Sequence, residues 1–129
     1  MGNSPNATAA RLLDAVADRD VEAVVACFEP DGTWQNVPHS PARGREAIRA
    51  MLDPILRRSS QVRWDVVTES YDEHTAWLER VDRFWIDGIE HAVKCNGVLE
   101  FDPETGLIRE LRDYVDLGEW RARVAHISF

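Results

Sequence analysis

Cysteine is nearly absent from this chain: Cys27 and Cys95 are the only two in 129 residues. They are too few and too widely separated for a disulfide framework or a zinc ligand pair, so each is expected to be a free thiol and a small buried hydrophobe in a reducing compartment. Histidine is scarce too, and His39, His74, His91 and His126 show no ligand spacing, which points to imidazoles on loops and surfaces and to no metal site. No apolar run approaches the roughly 20 residues that span a bilayer. The opening "MGNSPNATAARLL" has no basic region followed by an apolar core, and position 6, where a myristoylation signal places a hydroxyl, is Asn6. Positive charge is in deficit, with 15 Lys and Arg against 23 Asp and Glu for a net charge of −8, and no basic run occurs. That balance argues against a nucleic-acid surface and against an anionic membrane. The expectation is a soluble, cytoplasmic protein whose partners are small or neutral.

What is present fits one domain covering residues 1–129, with 1–7 expected to be disordered and Asn6-Ala7-Thr8 read as a helix start. Leu12, Leu13 and Val16, then Val21, Val24, Val25 and Phe28, recur at helical spacing, with Asp20 placed to cap the second of two short helices over residues 8–28. "EPDGT" breaks the pattern, and "TWQNVP" reads as a short strand closed by Pro38. In "PARGREAIRAMLDPILRR", Ala47, Ile48, Met51, Leu52 and Ile55 form the stripe of a third helix, which Pro54 is expected to kink or end. Arg57 and Arg58 read as its solvated end. From Gln61 the period becomes two, and four strand-like runs follow, punctuated by "YDEH", "DG" and "DPETG". Asp87-Gly88 is the strongest hairpin signal. Helices first and antiparallel strands afterwards is the order of an α+β layer. The closing "GEWRARVAHISF" is weakly patterned and is expected to fold back over one end of the sheet.

One strand is unusual. In "WLERVDRFW", alternation places Leu78, Arg80, Asp82, Phe84 and Ile86 on one face and Trp77, Glu79, Val81, Arg83 and Trp85 on the other, so both faces are mixed. Such a pattern reads either as a solvated ion pair or as a polar patch inside apolar surroundings. Two other strands offer polar groups at the same spacing: Trp34 and Asn36 share a face in "TWQNVP", and Leu111, Asp113 and Val115 share one in "ELRDYVD". If the three faces converge, they assemble Asp-Arg-Asp with an amide beside it. A guanidinium between two carboxyl groups lets them differ in protonation, one serving as base and the other as acid.

The combination "WQNVP", "ERVD" and "RDYVD", in that order among helices and a meander, resembles the limonene-1,2-epoxide hydrolase family, one of the cystatin-like cone folds that also include polyketide cyclases and ketosteroid isomerases. The resemblance covers residues 8–120. It implies N-terminal helices packed on a strongly curved mixed or antiparallel sheet, forming a cone with an internal pocket. Position by position, it implies that Asp113 is the base and Asp82 the acid, that Arg80 bridges them, and that Asn36 helps to hold the attacking water. It also implies that no metal or organic cofactor is needed. Where the family has a water-holding Tyr this chain has Trp34, whose indole N–H only donates and so can hold a water only through the water's lone pair. Where the family has a Trp, this chain has Leu111.

The activity implied is addition of water to a small apolar epoxide, giving a diol, with Trp34, Phe84, Leu111 and Val115 as pocket walls. A cyclase or isomerase of the same fold would instead use Asp113 to abstract a carbon-bound proton and Asp82 to polarise a carbonyl. A non-catalytic ligand-binding or dimerisation module is the third possibility. Trp64, Trp77, Trp85 and Trp120 read as core or interface, and Trp77 and Trp85 as marks of a homodimer surface on the outer sheet face.

Overall fold

Helix α1 spans Pro5–Ala17 in the computed structural model, which describes residues 4–129. The Ser4 side chain caps it by accepting from the Ala7 N–H at 3.2 Å, and Pro5 sits in the first turn, where its missing N–H costs nothing. Pro5, Asn6 and Ala7, expected to be disordered, therefore form helix, while residues 1–3 lie outside the described residues. Helix α2, Val21–Ala26, is capped by Asp20 through the Ala23 N–H at 3.0 Å, as the sequence implies. Phe28 begins strand β1, Phe28–Val37, and is not part of the helical pair. The "EPDGT" stretch does not interrupt that strand; it is absorbed as an irregularity between Phe28 and Thr33.

A two-residue strand, β2 (Ala42–Arg43), leads into helix α3, Arg45–Arg58. Pro54 removes one intrahelical hydrogen bond without ending α3, which continues through another turn to Arg58. Strands β3 (Gln61–Tyr71), β4 (Thr75–Ile86), β5 (Ile89–Phe101) and β6 (Ile108–Val115) then form the antiparallel meander. Asp87 and Gly88 join β4 to β5 with φ of 54° and 77°, the two positive values a tight hairpin needs. Strand β1 pairs in parallel with β6, giving a six-stranded mixed sheet ordered β2-β1-β6-β5-β4-β3.

The fold is α+β, with α1 packed on β3 and α3 on β1 over the inner sheet face. Leu12, Val16, Phe28, Ile48, Leu56, Leu78, Ile86 and Leu99 form the centre of the apolar core. Each such side chain contributes on the order of 1.5–3 kcal/mol by leaving water. Along β4, burial alternates strictly from Ala76 to Ile86, so the face carrying Arg80 and Asp82 is the buried one. The mixed strand is thus a polar patch inside the protein and not a solvated ion pair.

The chain end departs furthest from its sequence reading. Leu117–Val124 is a helix, α4, capped by Asp116, whose Oδ1 accepts from the Glu119 N–H at 2.9 Å. Trp120 on α4 packs against Phe84 with ring centroids 5.4 Å apart. Arg58, read as solvated, donates to both carboxylate oxygens of Asp87 and to the Ser128 carbonyl, fastening the segment after α4 beside the β4–β5 hairpin. No helix among the described residues is long and apolar enough to cross a membrane.

Candidate active site

Sheet register brings the three polar faces together. Asn36 on β1 lies opposite Asp113 on β6, Asp113 lies opposite Gly97 on β5, and Arg80 on β4 lies opposite Cys95 on β5. Asp113 and Asp82 are 4% and 6% exposed, and Arg80 is 1% exposed. An isolated charge at that depth would cost several kcal/mol, so the arrangement stands only because its members satisfy one another.

Arg80 is the hub. Its Nε and Nη2 fork onto the two carboxylate oxygens of Asp82, both at 2.9 Å. Its Nη1 donates to Asp113 Oδ1 at 3.1 Å, and Nη2 also donates to Cys95 Sγ at 3.2 Å. The guanidinium lies 4.5 Å from the centre of the Trp64 ring, so an aromatic face covers one side of it. Asp113 receives a second donor on its other oxygen, the Trp34 indole N–H at 3.2 Å. Asp82 therefore takes a two-pronged contact from one cation, and Asp113 takes one arm of that cation plus a neutral donor.

The electrostatics follow from this burial. Loss of water pushes the Asp82 carboxyl above the usual carboxylate range; the Arg80 charge and hydrogen bonds oppose that rise, and the Asp113 charge adds to it. Burial works against the charge of Arg80 as well, but Asp113 and Asp82 more than compensate and hold the guanidinium firmly protonated. Burial also drives the Cys95 thiol well above its ordinary value, so this sulfur is no ready nucleophile.

Both carboxyl groups open onto a cavity of about 350 Å³. Trp34, Asn36, Phe84 and Val115 are among the residues that line it. Leu111 does not: it is fully buried in the apolar core, beside Trp34 in the parallel register. The indole N–H of Trp34, the one polar group of that side chain, is directed to Asp113. Asn36 sits beside Asp113, with Nδ2 3.8 Å from Met51 Sδ, a weak acceptor. Sequence reasoning missed several walls. Trp64 and Trp120, read as core or interface, both face the cavity, as do Met51, Cys95, Leu117 and Phe129. For α4 a signal existed, the Asp116-x-x-Glu119 cap pattern.

Residues 9–111 match the family model of the SnoaL-like domain. The chain belongs to the SnoaL-like domain family. That family is broader than the limonene-1,2-epoxide hydrolase resemblance drawn from the motifs, and the matched span closes two residues before Asp113. Solved structures share the SnoaL-like fold at low identity. A provisionally assigned SnoaL-like polyketide cyclase from Shewanella putrefaciens superposes with a TM-score of 0.80 at 14% identity, over 95% of this chain and 96% of that one. SalBIII, an epoxide hydrolase/cyclase-like enzyme in pyran ring formation in the polyether salinomycin, gives 0.77 at 18% identity, over 88% and 92%. An LEH-like epoxide hydrolase from M. tuberculosis gives 0.71 at 24% identity, over 92% and 87%.

Proposed function

We propose that this SnoaL-like protein is a cofactor-independent epoxide hydrolase that adds water to a small apolar epoxide to give a vicinal diol. The observation that supports this reading is a pair of carboxyl groups at one apolar cavity, bridged by a single arginine, with burial favouring a proton on Asp82. In the proposed step, ionised Asp113 takes a proton from a water held with Asn36 as the water oxygen attacks an epoxide carbon. The carbon–oxygen bond of the ring breaks, and neutral Asp82 gives its proton to the departing oxygen. Charge moves from Asp113 to Asp82 while both stay bonded to Arg80. The triad holds one positive and one negative charge before and after the step, so the dry site never faces an unbalanced ion. Exchange with solvent then returns the proton to Asp82. Each positioned acid or base typically contributes about 10²–10⁴-fold.

The Trp34 contact favours a second reading. With its indole N–H committed to Asp113, a free water has fewer groups to orient it. A hydroxyl carried by the substrate itself needs less orienting, because the tether supplies proximity. Asp113 would then deprotonate that hydroxyl and Asp82 would protonate the same epoxide oxygen, closing a cyclic ether. Turnover of a panel of terpene, cyclic and styrene-type epoxides, with and without an internal hydroxyl, tests both. Diol from simple epoxides, lost in Asp113→Asn and Asp82→Asn, supports the hydrolase; cyclic ether from hydroxy-epoxides alone supports the second reading; binding without any product fits a ligand-binding module and contradicts both.

A further inference from the structure

Arg80 and Asp113 stand on strands that are not neighbours. Strands β4 and β6 flank β5, so the guanidinium reaches Asp113 only by crossing β5, a span of about two strand spacings, or roughly 9–10 Å. The inward positions of β5 along that path are Cys95, opposite Arg80, and Gly97, opposite Leu78 on one side and Asp113 on the other. A β-carbon built on Gly97 falls 2.5 Å from Arg80 Nη1 and 2.8 Å from Asp113 Oδ1. Ordinary contact needs about 3.5 Å. The two atoms it strikes are the two that form the 3.1 Å bridge.

Backbone conformation does not explain this glycine, because its φ lies outside the left-handed region. A glycine inside a strand weakens the strand, so its presence calls for a close approach. Nor is the clash cheaply relieved. Nη1 ends a flexible side chain, but that side chain is pinned by the Asp82 fork, by Cys95 and by the Trp64 ring.

We infer that Gly97 is a positioning residue: its missing side chain is the gap through which Arg80 crosses β5 and couples the carboxyl group on β4 to the one on β6. The assignment of acid and base to those carboxyl groups rests on the proposed function; the gap itself rests on geometry alone. A methyl group at residue 97 leaves Asp82 with its fork and deprives Asp113 of its cation.

The test is Gly97→Ala, read two ways. A crystal structure of the variant is expected to show the Nη1–Oδ1 bond opened with the Asp82 fork intact. Diol formation is expected to lose about 100-fold in kcat with KM little changed, as misplacement by about an ångström does. A retained bond overturns the inference, and so does an opened bond with unchanged kcat. If the parent protein makes no diol, the hydrolase reading has failed separately and the bond alone decides. If Gly97→Ala does not fold, the double variant Gly97→Ala/Arg80→Lys is compared with Arg80→Lys alone, since lysine lacks the Nη1 branch: a double variant as stable as Arg80→Lys supports the gap, and one that is far less stable than Arg80→Lys overturns it.

Discussion

Asp82→Asn tests the proton on Asp82 without any substrate. Burial pushes this carboxyl above its ordinary value of 3.8, so the folded protein holds a proton there at a pH where the unfolded chain has released it. Between the two values the folded state binds more protons, and stability must fall as pH rises. The contribution is fully present below the unfolded value and is lost as pH passes the folded one. Its slope reaches at most about 1.4 kcal/mol per pH unit, the worth of one proton. The parent curve alone will not display it, because Glu22, Asp65 and Asp87 are pulled below their ordinary values by hydrogen bonds from arginines and act in the opposite direction. Subtracting the Asp82→Asn curve removes those shared contributions. The variant turns one Arg80 contact into a donor facing a donor, a cost that does not depend on pH. The assay is urea unfolding followed by tryptophan fluorescence over a pH series, with equal m-values required of both proteins. The parent's advantage over the variant is expected to shrink as pH rises and then level off. An advantage that grows with pH would mean that the Arg80 fork outweighs burial and keeps Asp82 ionised, which would refute its role as proton donor; a flat difference would refute the shift itself.

Arg80→Ala leaves two buried carboxyl groups without their shared cation and should cost about 3–5 kcal/mol; a thermal melt equal to the parent's would contradict the burial argument. Trp34→Phe deletes the indole donor to Asp113 Oδ2, and urea unfolding should register about 1.5–3 kcal/mol for a hydrogen bond to a charged group. Trp34→Tyr, which introduces a hydroxyl, should support more diol formation than Trp34→Phe; equal rates would make pocket volume the variable. The outer sheet face carries Trp77, 43% exposed, with Val81 and Trp85 on the same side of β4. We propose that it pairs two copies of the chain, and sedimentation at micromolar concentration should give a dimer; a monomer would contradict it.

Much of the site was legible because strand alternation is strict: Arg80 and Asp82 share a face by spacing alone, and "RDYVD" places Asp113 and Val115 on another. Leu111 shares that alternation and still ends in the core, because depth along the cone, which spacing does not encode, decides whether an inward residue meets the cavity. Trp34 was located, but its partner was not, since the direction of an indole N–H depends on packing against Phe28 and Trp64. Gly97 carries no local signal; its importance appears only when β4 and β6 are seen to flank β5. Helix α4 was hidden because its apolar residues are few and much of its length stays in water, leaving the Asp116 cap as the main clue.

In the proposed hydrolysis, water itself attacks an epoxide in one acid–base step. A single turnover in heavy-oxygen water, with enzyme in excess over a simple epoxide, tests it most directly. The expected result is one labelled oxygen in the diol and none in the carboxyl groups of the recovered protein. A product without label, or label carried in Asp113 or Asp82, would contradict it.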